Sequence, residues 1–233
     1  MARGKKITKK KLKEPDEFIS FTQQAYMFIQ GHLRKIAVIA GVIVAIALAI
    51  IFYRMWENKK EAEADRKLSL AMEVYQKASS SYQEVPAAEY KSALAKFEEV
   101  IKEYPGTAAG KIAVLQKGNL HLKLGDFDEA LKAYQAFLDK AGHEKLYRLF
   151  ALQGMGYAYE GKKDYAKAVE AYQQVIDLGE TFQSGETYLS LGRCYEKLGK
   201  NQQALESYKA FLKTAKESET TSSVLRKVSL LEK

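Results

Sequence analysis

Three stretches of the 233-residue chain align without gaps: KGNLHLKLGDFDEALKAYQAF, MGYAYEGKKDYAKAVEAYQQV and LGRCYEKLGKNQQALESYKAF. In each, a glycine (Gly118, Gly156, Gly192) precedes an alanine (Ala130, Ala168, Ala204) by twelve residues. A tyrosine follows four later (Tyr134, Tyr172, Tyr208), and Phe137, Val175 or Phe211 stands three beyond it. The repeat distances are 38 and 36 residues. A unit of this length cannot bury its apolar face alone, so the units must stack on one another, each touching its neighbours in sequence. No strand-period run or βαβ alternation occurs, and three prolines in the chain suit long helices. The fold class is therefore all-α.

The spacing resembles the tetratricopeptide repeat, whose unit is a pair of antiparallel helices with small residues where the two cross. The resemblance implies that the glycines and alanines above are those small positions, and that Tyr134, Tyr172 and Tyr208 are the second-helix aromatics. Phe127 and Tyr165 match the aromatic that opens the second helix, whereas Asn201 departs from it. An earlier, weaker unit is EYKSALAKFEEVIKEYPG, with Tyr90, Ala93, Phe97, Val100 and Pro105 at second-helix spacing. Its first helix would be Lys67 to Ser81, with Ser81 where the others carry glycine and Pro86 interrupting the connection. Val224, Leu225, Val228 and Leu231 form one apolar stripe after Thr220-Thr221-Ser222-Ser223, a polar run suited to capping a helix start. The expected architecture is a solenoid of about four helix pairs with a C-terminal capping helix.

Ahead of the repeats, Ile36 to Phe52 is an unbroken run of seventeen apolar residues, eleven of them Ile, Val, Leu or Phe. A helix from Ile36 to Tyr53 is roughly 27 Å long, close to the ~30 Å hydrocarbon core. Insertion of those eleven is worth very roughly 3 to 7 kcal/mol. A cleavable signal needs a shorter core and a small-x-small site. Ala47-Leu48-Ala49 supplies such a site, but inside the run and after a long leader. The segment reads as a retained signal anchor. Nine Lys or Arg precede it and five lie in the fourteen residues after Tyr53. The positive-inside rule then leaves the head in the cytoplasm and exports the bulk, in a bacterium to the periplasm. The boundaries are 1–35 for a basic cytoplasmic head, 36–53 for the transmembrane helix, 54–66 for a charged connecting helix and 67–233 for the repeat domain. Phe18, Phe21, Ala25, Phe28 and Ile29 recur at helical spacing in the head. They suit equally a short helix in the interface or one docked on a partner protein.

The net charge of +8 and pI near 9.2 do not indicate a nucleic-acid binder, because +6 of that charge sits in the head. There it sets topology and meets anionic lipid headgroups. Enzymatic motifs are lacking. His32, His121 and His143 have no metal-ligand spacing, no phosphate loop is present, and Cys194 is the one cysteine. His121, aligned with Tyr159 and Tyr195, reads as core, and Cys194 as a small buried hydrophobe. Asp126 with Glu129, and Glu160 with Asp164, read as solvated helix-start charges. No enzyme activity, cofactor or metal is implied.

Function then falls to the repeat surface. One step round from the core, the first helices present Leu115, Asn119, Leu122 and Lys123, then Gln153, Tyr157 and Glu160, then Leu189, Arg193, Glu196 and Lys197. Of these, Asn119, Lys123, Gln153, Tyr157, Arg193 and Lys197 are the candidate protein-binding residues, though the same set also reads as ordinary solvated surface. Leu115 and Gly154 occupy positions where the carboxylate-clamping members of the family need Lys and Asn, so that specialised role is not expected. Basic head, anchor, connecting helix, degenerate repeats and short last helix together resemble the YfgM-like ancillary subunits of the SecYEG translocon. That resemblance implies an inner-membrane adaptor whose partners are SecYEG and a periplasmic chaperone. The alternative is a self-associating cell-envelope scaffold or assembly factor.

Overall fold

Apolar residues recurring at three and four, with small residues between them, build helices that must pair closely. The computed structural model describes residues 17–80, 87–141, 144–179, 181–214 and 218–232, and these hold nine helices and no strand. They are α1 (Glu17–Ser80), α2 (Ala87–Glu103), α3 (Ala108–Leu124), α4 (Phe127–Ala141), α5 (Lys145–Gly161), α6 (Tyr165–Asp177), α7 (Ser184–Lys197), α8 (Asn201–Thr214) and α9 (Glu219–Leu231). The chain divides into two units, Met1–Asn58 and Lys59–Lys233.

In the first unit α1 runs unbroken through the junctions expected at 35/36 and 53/54, and the segment read as a separate short helix forms its opening turns. Most of the basic cluster, Arg3 to Lys13, lies outside the described residues. The apolar run is exposed on every side, for example Val38 at 66% and Phe52 at 74%. By length and composition this helix is able to cross a membrane, with a mean hydropathy of 3.0 over its best window. Aromatic residues bracket the run. Phe28 stacks on His32 ahead of it, and Tyr53 lies against Trp56 beyond it, as suits the two interfaces of a bilayer.

In the second unit the helices from α2 onward pack each on its sequence neighbour, and α3 also meets α5. The helix pairs are the end of α1 with α2, α3 with α4, α5 with α6, and α7 with α8; α9 closes the last pair. Alanines every seventh residue of α1, Ala64 and Ala71, join Ala93, Phe97 and Val100 of α2 in the first core. Lys67 adds ion pairs to Glu99 at 2.8 Å and Glu103 at 2.7 Å. The four equivalent alanines, Ala93, Ala130, Ala168 and Ala204, are completely buried, as are Phe97, Tyr134, Tyr172 and Tyr208 four residues on. Ser81 and Pro86 lie outside the described residues.

Helix ends follow local chemistry. Thr107 caps α3 by accepting from the Gly110 amide at 2.9 Å, and Gly110 itself is required because a Cβ there would meet the Tyr104 carbonyl oxygen. The α9 cap is Ser218, which accepts from the Thr221 amide at 3.2 Å. The Thr220–Ser223 run expected to cap the helix instead lies inside its first turns. The loops ending α3, α5 and α7 place equivalent residues in the left-handed region: Gly125 (φ 80°), Lys163 (φ 61°) and Gly199 (φ 69°). Lys163 alone carries a side chain there, at a cost of about 1–2 kcal/mol.

The close crossing at Ala168 gives a direct check of the register. Ala168→Leu should overpack the α5–α6 contact at a cost of about 1–3 kcal/mol. Ala166→Leu, at an exposed position two residues away, should stay within about 0.5 kcal/mol of wild type. Equal thermal shifts for the two variants would contradict the register.

Candidate protein-binding cleft

The stacking leaves the α3 and α5 surfaces side by side, with the end of α1 and the α6–α7 turn at their margins. Between them lies a cleft of about 690 Å³. Asn119, Lys123, Gln153 and Tyr157 all line it, together with Leu115 and Leu122. Arg193 lies instead in a neighbouring hollow of about 350 Å³ formed with Leu189, Tyr208 and α9. Lys197 is exposed on α7 and lines neither.

Uncharged hydrogen bonds organise the cleft floor. The Tyr134 hydroxyl donates to Asn119 Oδ1 at 2.8 Å, and Asn119 Nδ2 donates to Gln116 Oε1 at 3.1 Å. On the facing helix Gln153 Nε2 donates to the Tyr157 hydroxyl at 3.0 Å, while Thr187 Oγ1 donates to Gln153 Oε1 at 2.9 Å. Burial pushes the Tyr134 and Tyr157 phenols above their ordinary range, so both stay neutral at physiological pH. Gly154 is small for a packing reason: a Cβ there would come within 2.3 Å of the Tyr134 ring.

Sequence periodicity passes over several lining residues. Tyr75, Phe150, Phe182 and Glu186 belong to the cleft. Phe150 and Glu186 occupy equivalent positions one turn before Gln153 and Leu189, so extending the stripe by a turn reaches them. Phe182 sits in a turn between repeats, outside any aligned position, and no periodic signal marks it.

Models of the tetratricopeptide repeat match residues 111–181 and 154–219. Together these matches span residues 111–219, just under half of the chain. No curated protein matches the chain. Among solved structures it is similar to MamA 41-end from Desulfovibrio magneticus RS-1, at 20% identity over 65% of this chain and 75% of that one, with a TM-score of 0.52. It is also similar to a tetratricopeptide repeat protein from Parabacteroides merdae ATCC 43184, at 14% identity, 72% and 60% coverage and a TM-score of 0.58. Likeness at these identities shows the fold alone. Tetratricopeptide repeats serve in general as protein-binding scaffolds.

Within the repeats, two glutamates read from the sequence as solvent-facing have structural partners. Glu160, near the end of α5, accepts the Tyr172 hydroxyl at 2.6 Å and lies 3.4 Å from Arg193 of the next unit. Arg193 is further held by Ser190 Oγ at 2.9 Å. Glu196 repeats the arrangement one unit on, accepting from Tyr208 and pairing with Lys227 of α9. Each carboxylate therefore links its own helix pair to the following element. Cys194 is fully buried, and burial pushes its thiol up to about 12, as suits a packing residue.

Partial burial of Glu196 opposes ionisation, but hydrogen bonds from Lys227 and Tyr208 outweigh it and hold the carboxyl below the usual glutamate range. A folded pKa below the unfolded one, about 4.3, gives stability that is complete above the unfolded value and lost as pH falls through the folded one. Glu196→Gln should therefore melt below wild type at pH 7, and the two melting curves should converge on acidification below about pH 4. A gap that stays constant with pH would contradict the ionic link.

Proposed function

We propose that the chain is a single-pass inner-membrane adaptor whose repeat domain binds proteins through the cleft of Asn119, Lys123, Gln153 and Tyr157. In this reading residues 1–35 face the cytoplasm, 36–53 span the bilayer, 54–66 connect, and 67–233 act in the periplasm. The partners are SecYEG and a periplasmic chaperone that meet proteins emerging from translocation. The observation that carries the reading is a cleft with both apolar and hydrogen-bonding walls on the same chain as an exposed apolar helix. Apolar surface exposed all round a helix is stable in lipid and not in water. Tethering confines the domain to the bilayer surface and raises its effective concentration near membrane-bound partners, so modest cleft affinities suffice. Arg193 and Lys197 contribute at the edge of this surface, Arg193 mainly by joining units through Glu160.

Exposed Leu225 and Leu230 on α9 favour a second reading, a self-associating envelope scaffold. Light scattering on the detergent-solubilised chain separates the two readings, since a scaffold is a stable higher oligomer.

Two experiments check the proposal. A periplasm-dependent phosphatase fused after Lys233 should be active, whereas activity of a cytoplasm-only reporter at that junction would reverse the topology. A photocrosslinker replacing Lys123 should capture translocon subunits or periplasmic folding factors in cells, and one replacing Lys213 on α8 should not. Identical capture from both positions would move recognition away from the cleft.

A further inference from the structure

The cleft resolves further into a class of ligand, on the basis that it is the protein-binding site. We infer that it takes an internal, uncharged, aromatic-bearing stretch of an extended chain rather than a chain terminus or an acidic segment.

Size comes first. About 690 Å³ falls within the ~300–1,000 Å³ of pockets that enclose small ligands. A folded partner would instead need a face of about 800 Å². A short linear segment of a partner chain fits the cleft itself.

Shape and polarity come next. Tyr75, Phe150, Tyr157 and Phe182 give the cleft an aromatic wall. Phe182 is 75% exposed, although apolar burial would favour folding it inward. Its turn is tied down instead: the Thr181 amide donates to Ser184 Oγ at 2.8 Å and the Gln183 amide to Thr181 Oγ1 at 3.3 Å. The ring is thereby held 6.2 Å from Phe150, tilted by 59°, and leaves a free face for a third aromatic to pack on. The amides of Gln116, Asn119, Gln153 and Gln183 add donors and acceptors together, which is what the N–H and C=O groups of an extended backbone require.

Charge excludes the other ligands. The charged lining residues are Lys123 and Glu186, one of each sign. The Lys123 ammonium stands over the Tyr90 ring at 5.9 Å, and the nearby Arg193 is held by Glu160 and Ser190. A terminal carboxylate needs charge-assisted donors, and the two cations closest to hand are already engaged. An acidic segment gains no net attraction either, because the cleft's charges cancel.

The test uses the full chain in lipid nanodiscs and three labelled heptapeptides read by fluorescence anisotropy. The first is a Gly-Phe-Ser-Trp-Ser-Phe-Gly sequence blocked at both ends, the second is the same sequence with a free terminal carboxylate, and the third has glutamate for each aromatic. The blocked and free forms should bind alike, within about twofold, and the acidic form at least about tenfold more weakly. Phe182→Ala, at an exposed position, should weaken the blocked peptide about tenfold with unchanged melting temperature, and Lys213→Ala, on α8 outside the cleft, should change it less than about twofold. Failure of the blocked peptide to bind, or binding that needs Lys123 and a free carboxylate, overturns the assigned class but not the cleft. Tight binding indifferent to both Phe182→Ala and Tyr157→Ala overturns the cleft as well.

Discussion

A tyrosine ring seated on a glycine fixes the geometry of the three helix pairs α3–α4, α5–α6 and α7–α8. Tyr134 lies against Gly118, Tyr172 against Gly156 and Tyr208 against Gly192, so closely that a Cβ on the glycine would fall 2.7, 2.2 and 2.3 Å from the ring. Real Cβ contacts are not that short, so the interhelical distance exists only while the first-helix residue has no side chain. The seat also has a polar end. Each fully buried ring carries its hydroxyl to Asn119, Glu160 or Glu196 on its own unit's first helix. A large aromatic packing area and a satisfied hydroxyl are thus combined in one residue.

From this seat the cleft follows. Tyr134 touches Gly118 behind it and Gly154 of the next unit beside it, so one ring spaces α3 from both α4 and α5. That spacing presents Asn119 and Gln153 on adjoining helices. The same device in the next unit places Glu160 within reach of Arg193, and in the last places Glu196 within reach of Lys227. Core packing and the polar links between units are consequences of the same contact, and a change in the seat should be felt in both.

What the sequence discloses depends on whether a position repeats. Gly156, Ala168 and Tyr172 recur with their sister residues, and their period alone locates the helix pairs, their buried faces and one flank of the cleft. Phe182 does not recur, because it belongs to a turn whose length differs between units. Ser218 caps α9 where the richer Thr220–Ser223 run seemed the better signal, since a cap depends on where the backbone turns and not on how many hydroxyls are near. Glu160 and Arg193 are 33 residues apart and meet only through stacking. Their pairing is invisible without the rise from one unit to the next. Lys163 shows the converse: the loop needs a left-handed residue whether or not the sequence supplies glycine.

The seat is tested most directly by a double-mutant cycle on Gly156 and Tyr172, followed by denaturant unfolding. In the wild-type background Gly156→Ala should destabilise the fold by about 1–3 kcal/mol, because the new methyl meets the ring. In a Tyr172→Leu background the ring edge is gone, and the same substitution should become neutral or stabilising by up to about 1 kcal/mol, the helix-propensity advantage of alanine over glycine. An equal loss in both backgrounds would contradict the account.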